Sequence, residues 1–243
     1  MASVAGTRPK PTRGARHRRP DSPRKRAFSA VLETCTVVAL GLVVAVVVRL
    51  FVAEAFYVPS GSMESTLMKD DRIVAEKVSY LHRGVERGDV VVFADPGGWL
   101  PADESKKPNS LRRFGEFVGV LPHSSQGHLV KRVIGVGGDT VACCDKNGRL
   151  TVNGVPIDER SYLNKGAKPS EEPFKVEVPD GELWVMGDNR PLSADSRAHL
   201  GSPGGGFVPV SDVVGRACCV IWPSERMTML RRPPTFESSG LNK

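Results

Sequence analysis

The side chains that could do chemistry fall in three separate segments. The first is Phe56-Tyr57-Val58-Pro59-Ser60-Gly61-Ser62-Met63-Glu64-Ser65-Thr66-Leu67, in which two hydroxyls flank a glycine. Alone, a Ser-Gly pair marks a loop more often than a reactive hydroxyl. The second is Leu129-Val130-Lys131-Arg132-Val133-Ile134-Gly135. Strand alternation puts Leu129, Lys131 and Val133 on one face, so burial of that face would surround the amine with apolar neighbours. The third is Gly187-Asp188-Asn189-Arg190-Pro191-Leu192-Ser193-Ala194-Asp195-Ser196-Arg197, a polar loop after an apolar strand. None of the histidines, His17, His82, His123, His128 and His199, lies in a catalytic signature, and surface or loop placement is expected for each. His128 and His199 are close in sequence to the second and third segments. The cysteines are Cys35 and the adjacent pairs Cys143-Cys144 and Cys218-Cys219. This spacing does not fit zinc, and no metal or cofactor is expected. Neighbours on a strand point to opposite faces, so at most one of each pair can meet a common partner. A disulfide between the pairs and buried free thiols are both open, the second slightly favoured.

The elements that must position these groups begin with a charged arm. Residues 1–30 carry nine Lys or Arg and one acid, a net of +8, whereas the whole chain carries +7. The basicity therefore belongs to the arm. Such an arm suits nucleic acid or anionic lipid, and the apolar run next to it favours lipid. From Thr34 to Val48 there is no charge, and the run continues past Arg49. The span 31–52 has about the ~20 residues a bilayer needs. Basic residues before the first apolar run put that side in the cytoplasm, and the rest of the chain has no second long apolar run. A cleaved leader is the competing reading, because Ala53-Glu54-Ala55 has an A-x-A form. Arg49 interrupts the approach to that site, and the basic region would be unusually long.

Residues 1–29 are rich in Pro, Arg and Ser without apolar period and read as a disordered cytoplasmic arm. Residues 30–53 read as a membrane-spanning anchor helix, and 54–230 as an extracytoplasmic β domain. Short β-branched runs recur at 72–75, 89–93, 128–134, 139–142, 150–152, 174–178, 183–186 and 213–222. Asn147-Gly148 and Asn153-Gly154 signal hairpins, because a type I′ turn needs positive φ. The expected fold is mostly β and antiparallel. Residues 140–184 read as a small β cap, 95–127 as an insertion, and 231–243 as a flexible tail. Within the insertion Leu111, Phe114, Phe117, Val118 and Leu121 recur at helical spacing.

Together the segments resemble the boxes of bacterial type I signal peptidases. PSGSM at 59–63 is similar to the nucleophile box, RGDVVVF at 87–93 to the next structural box, KRVIGVGGD at 131–139 to the lysine box, and GDNRPLSADSR at 187–197 to the closing box. They occur in order over roughly 50–222, directly after an N-terminal anchor. The resemblance implies an antiparallel catalytic domain of signal-peptidase type with one N-terminal transmembrane helix. It implies a Ser/Lys dyad, with Ser62 as nucleophile and Lys131 as general base. Ser193 would orient the amine, and Ser60 with the Ser62 N–H would serve the oxyanion. Asp195 and Arg197 would pair and fix the loop. A free lysine, pKa near ~10.4, is a poor base at neutral pH, and burial lowers that value.

The resemblance also implies a substrate site. Val58, Met63, Leu67, Leu129 and Val130 would line the pocket next to the cut, and Phe56 with Val58 the second. Apolar walls that close over a methyl group reject large side chains by shape. The implied partners are signal-peptide-bearing preproteins with small residues at −1 and −3, the phospholipid membrane and the secretion translocon, with no nucleic acid. The implied place is a single-pass position in the cell membrane, N-terminus in the cytoplasm. Two positions depart from the family pattern. Glu64-Ser65 precedes Thr66-Leu67 where proline is frequent, and Pro191-Leu192 stands where polar residues are common. Competing functions are another Ser/Lys peptidase of the self-cleaving repressor type, and an inactive anchored protein that holds preproteins.

Overall fold

The structure, a computed structural model, describes residues 23–100, 127–237 and 239–241. Contacts divide the chain into two compact units, Met1–Leu42 and Val43–Lys243. Helix α1 (Pro23–Phe51) runs through the boundary between them. It begins earlier than the expected residue 30, so the end of the basic arm is helical and not disordered. Proline suits a first helical turn, where its missing N–H costs nothing, and Arg24, Lys25 and Arg26 are good helix formers. The remainder of the arm lies outside the described residues. Ala30–Phe51 is a 22-residue stretch of mean hydropathy 2.5 with none of it buried. At 1.5 Å per residue it is about 33 Å long, enough for a hydrocarbon core of about 30 Å. The Thr34 and Thr36 hydroxyls donate to Ala30 O and Leu32 O, one turn back, at 2.9 and 2.8 Å. Both hydroxyls are thereby satisfied without water.

After the helix come β1 (Ala53–Tyr57), β2 (Arg72–Glu76), α2 (Val78–Arg83), β3 (Val90–Ala94), β4 (His128–Val136) and β5 (Thr140–Cys143). Next are β6 (Thr151–Val152), β7 (Val155–Pro156), β8 (Phe174–Glu177), β9 (Glu182–Met186), β10 (Val208–Pro209), β11 (Val213–Trp222) and β12 (Thr228–Met229). The larger sheet has the order β1-β2-β11-β3-β4-β9-β10, with β12 on β11. Every pairing in it is antiparallel. The expected antiparallel β fold with one N-terminal apolar helix is thus what forms. Ala53, Glu54 and Ala55 pair with Glu76, Ala75 and Val74 in the ladder, which removes them from any cleavable linker.

The smaller sheet has the order β7-β6-β5-β8. The cap therefore ends with β8; β9 pairs with β4 and belongs to the larger sheet, so the boundary at 184 was too late. Asn153 and Gly154 both have positive φ, 53° and 80°, and close the β6–β7 hairpin as a two-residue turn. At the other hairpin only Gly148 has positive φ. There the Asp145 carboxylate holds the turn, accepting from Asn147 N at 2.9 Å and Arg149 N at 2.8 Å. Cys143 and Cys144 are bonded to each other, neither pairing with Cys218 or Cys219. Strand β5 stops at Cys143, so the alternation that separates neighbours no longer applies beyond it.

Strand β3 is covered on both sides. Val90 and Val92 enter a cluster with Phe56, Met63 and Leu67, while Val91 and Phe93 enter one with Leu129, Val133 and Val185. A strand buried on both faces needs an unbroken apolar run, and VVVF supplies it. Of the insertion, only its ends are described. Asp95 accepts from the N–H groups of Gly97, Trp99 and Leu100, and Trp99 packs edge-on to Phe93 and stacks on His199. The amphipathic stretch expected between 111 and 121 lies outside the described residues.

The expected loose tail is instead part of the core. Phe236 and Leu241 are buried in the cluster that joins the small sheet to β9, and Phe236 packs 5.9 Å from Tyr162. Thr235 Oγ1 accepts from Asp158 N at 2.8 Å and Asn153 Nδ2 donates to Leu241 O at 3.1 Å. Two apolar side chains scattered among polar ones carry no periodic signal, which is why the segment reads as a tail. Phe236→Ala should lower the unfolding free energy by about 3–5 kcal/mol in a urea melt; a tail without packing would show no change.

Candidate active site

The nucleophile-box segment is a turn pinned at both ends. Val58 N donates to Asp71 O and Asp70 N donates to Val58 O, at 2.9 and 2.8 Å. Met63 and Leu67 are buried side by side beneath the turn. Ser65 has φ +98°, which a proline ring fixed near −65° cannot adopt. The departure from the family pattern at this position therefore has a backbone counterpart. The closing loop holds the turn from the other side. Asn189 N donates to Ser62 O at 3.0 Å, and Asn189 Nδ2 donates to Gly61 O and Glu64 Oε2, both at 3.1 Å. Gly187 lies so close that a Cβ there would sit 2.5 Å from Ser62 O. Any larger residue would push the two segments apart.

Strand β4 brings in the amine. Lys131 Nζ donates to Ser62 Oγ at 2.7 Å and to Val130 O at 3.2 Å, and the residue is only 4 % exposed. Burial pushes its pKa down to about 8, against the pull of the Asp195 and Asp188 carboxylates, which favour the ammonium. Ser60 Oγ is 3.3 Å from Ser62 Oγ on the exposed side of the turn. Asp195 and Arg197 form a two-bonded pair, Nε to Oδ1 and Nη2 to Oδ2, both 2.9 Å. Burial raises the Asp195 pKa, but Arg197 and the Gly187 N–H outweigh it and hold the carboxyl below its usual range. Ser193 differs from expectation. Its hydroxyl is buried against Gly187 and makes no hydrogen bond to Lys131. The amine finds its second acceptor in the carbonyl of its own strand instead.

A cavity of about 130 Å³ opens beside Ser62 and Lys131. Five of the six expected wall residues line it: Phe56, Val58, Met63, Leu129 and Val130. Leu67 does not; it is fully buried below the floor, in the cluster that supports Met63. Val92, Leu100 and His128 are additional walls. Their side chains reach the cavity through sheet register and through the start of the insertion, neither of which is readable from local spacing.

A buried polar network lies directly behind Ser62 and Lys131. Arg132 pairs with Asp188, Nε to Oδ1 at 2.8 Å and Nη2 to Oδ2 at 2.7 Å, and its Nη1 donates to Gly88 O at 2.8 Å. Thr66 Oγ1 donates to Asp188 Oδ2 at 2.5 Å, and the guanidinium lies over Tyr162, 4.4 Å from its ring centre. Beyond it Arg190 pairs with Glu159, which also accepts from Tyr162 Oη. Thr66, Arg132, Asp188 and Arg190 all sit inside the three reactive segments. The burial of Arg132, Asp188 and Arg190 is the feature that sequence reasoning missed. A basic residue next to Lys131 in an otherwise apolar strand is the signal that could have found Arg132.

The chain matches the family described as "Signal peptidase, peptidase S26" across residues 31–222. The chain belongs to this family. Signal peptidase relatives cover most of its length. It is 39% identical over 235 residues to a probable signal peptidase I of Mycobacterium leprae, covering 84% of this chain and 80% of that one. It is 38% identical over 235 residues to signal peptidase I of Mycobacterium tuberculosis, covering 87% and 79%. It is 34% identical over 217 residues to signal peptidase I of Leptolyngbya laminosa, covering 89% and 92%. As a member of the signal peptidase family the chain is a serine endopeptidase, a hydrolase of peptide bonds.

In this signal peptidase chain the buried amine should be visible in stability. A lysine pKa of about 8 in the folded state against 10.5 unfolded means that the unfolded chain binds more protons between those values. Stability from this group therefore rises as pH climbs from about 8 to 10.5, and below 8 the charged amine is a burden. Lys131→Met should thus be more stable to unfolding than the wild type at pH 7, by up to about 3 kcal/mol. The gap should shrink as pH rises through that window. Equal melting at both ends would mean the amine is not desolvated.

Proposed function

We propose that this chain is a membrane-anchored endopeptidase that cuts N-terminal signal peptides from secretory preproteins, after small residues at −1 and −3, with a Ser62/Lys131 dyad. The observation that carries the reading is the 2.7 Å contact between a serine hydroxyl and a buried amine beside a small apolar cavity. A pKa near 8 leaves a useful fraction of the amine neutral at physiological pH, close to the optimum for a general base.

The steps follow from these positions. The substrate lies extended across the cavity, with its small −1 and −3 side chains against Val58, Met63, Leu129 and Phe56. Ser62 Oγ attacks the scissile carbonyl carbon while its proton passes to Lys131 Nζ. The carbonyl oxygen becomes an oxyanion, which the Ser60 hydroxyl and the Ser62 N–H stabilise. The tetrahedral intermediate collapses, and the Lys131 ammonium returns the proton to the leaving amine. Water then attacks the acyl-enzyme carbonyl while its proton passes to Lys131 Nζ, and that proton returns to Ser62 Oγ as the ester C–O bond breaks and the acid product leaves. The apolar walls of the cavity, Phe56, Val58, Met63, Leu129 and Val130, suit alanine-sized groups.

The apolar helix supports anchoring, and the +8 arm before it supports a cytoplasmic N-terminus with the catalytic domain outside. The implied partners are signal-peptide-bearing preproteins, the bilayer and the translocon that delivers them. A cytosolic self-cleaving repressor would have no use for such a helix. An inactive preprotein-binding homologue is disfavoured by the contact between the two reactive groups, and labelling of Ser62 by a serine-directed covalent reagent separates that reading from the enzyme.

The test is cleavage of a precursor with Ala at −1 and −3. Ser62→Ala, Lys131→Ala and Lys131→Arg should each remove nearly all cleavage without loss of fold, since guanidinium stays charged and cannot act as a base. Ser60→Ala should lower turnover by about 10²-fold with little change in KM, because charge on the oxygen develops only in the transition state. A well-folded Ser62 or Lys131 variant that kept a tenth of wild-type activity would refute the dyad. Unchanged turnover in Ser60→Ala would remove that hydroxyl from the mechanism.

A further inference from the structure

The C-terminal end of α1 is tied into the sheet. A helix leaves its last carbonyls without partners, and here Lys77 Nζ donates to Arg49 O at 3.2 Å. Glu54, in β1, bridges two cations: its Oε1 accepts from Arg49 Nη2 at 2.9 Å and its Oε2 accepts from Lys77 Nζ at 3.1 Å. The three side chains are only 12–19% exposed. Backbone bonds complete the joint, Val52 N to Val48 O at 2.7 Å and Lys77 N to Val52 O at 2.8 Å. The last turns of the helix, from Val43, belong to the same compact unit as the sheet.

The connection onward is equally stiff. There is no glycine or proline between Gly41 and Pro59. Residues 53–57 pair one for one with 72–76, and the ladder continues to Val58, which is pinned to Asp70 and Asp71. Hydrogen-bonded backbone therefore runs without a break from the helix end to the nucleophile turn. None of Arg49, Glu54 and Lys77 lines the cavity.

We propose that Arg49, Glu54 and Lys77 form a rigid joint that fixes the height of Ser62 Oγ above the membrane surface, and so selects preproteins by the distance between their apolar segment and the cut. This rests on the anchored-protease reading. A substrate whose own apolar segment lies in the same bilayer presents its scissile bond at a height set by that distance. A fixed nucleophile matches one height, whereas a nucleophile on a loose joint matches a range. The three are positioning residues, since none touches the reacting atoms. Near the low-dielectric interface an ion pair between partly buried groups is stronger than one in open water.

The experiment uses the full-length chain in phosphatidylethanolamine/phosphatidylglycerol vesicles. One substrate is a soluble peptide with Ala at −1 and −3. The others are co-inserted precursors in which the spacing between apolar segment and cut is lengthened one residue at a time. Wild type should cut one spacing best. Glu54→Gln, which keeps an acceptor but loses the charge, should cut the peptide within about twofold of wild type. It should cut the best precursor about tenfold more slowly, the scale of effect that a small misplacement of reacting groups produces, and its spacing profile should be flatter. A Gly-Ser pair inserted between Val52 and Ala53 should flatten the profile further, with peptide cleavage as the control for folding. An unchanged profile in both variants, or an equal loss on peptide and precursors, would overturn the joint. Failure of the wild type to cut either substrate would instead overturn the proteolytic reading beneath it.

Discussion

The site depends on one constraint: an amine must be kept out of water while it touches a hydroxyl. Solvated, Lys131 would hold its proton at neutral pH and could not accept another. The fold enforces desolvation with β4, flanked by β3 and β9 and covered by the nucleophile turn. The pKa of about 8 is the residue of that burial against the opposing pull of Asp188 and Asp195. Much of the remaining architecture serves to hold the turn over the amine: Asn189 on the Gly61 and Ser62 carbonyls, Met63 and Leu67 in the core beneath, and Gly187 allowing the closing loop to approach.

Two adjacent cations on β4 meet opposite fates for a physical reason. Arg132 cannot lose its proton in a protein, so its burial demands a counter-charge. It has a two-bonded partner in Asp188, further supported by Thr66, Gly88 O and the face of Tyr162. Removing one member of such a pair leaves a buried charge alone, at a cost of about 3–5 kcal/mol. Among the described residues Lys131 has no carboxylate in contact and can become neutral, so its burial is turned to use. The guanidinium pair forms the buried back wall, and in the proposed mechanism the amine is the reactive front. A swap of the two residues would preserve charge and composition and destroy both functions.

Much of this was legible in the residues. The apolar run at 31–52, the β-branched runs and Asn153-Gly154 follow local rules of period and φ, and they form as those rules require. The proposed dyad was legible only through the order of four boxes, because a serine beside glycine and a lysine in a strand are each too common to stand alone. What escaped was non-local. Leu67 reads as a wall residue, yet the turn folds it into the core beneath Met63, which lines the cavity. Ser193 reads as a partner for the amine, yet its hydroxyl packs against Gly187. Phe236 and Leu241 look like a tail because two isolated side chains have no period, while their burial depends on a sheet formed some 80 residues earlier. Asp188 and Glu159 look like ordinary loop acids until the sheet encloses them.

The central claim is that burial lowers the Lys131 pKa far enough for its neutral form to be reached near physiological pH, and its titration tests this most directly. The intact protein, with lysine labelled at Cε and Nζ, can be followed by NMR from pH 6 to 11, with Lys131→Met to assign the signal. The account predicts one lysine signal, absent in that variant, with a midpoint near 8. A midpoint near 10.5, where unperturbed lysines titrate, would contradict it.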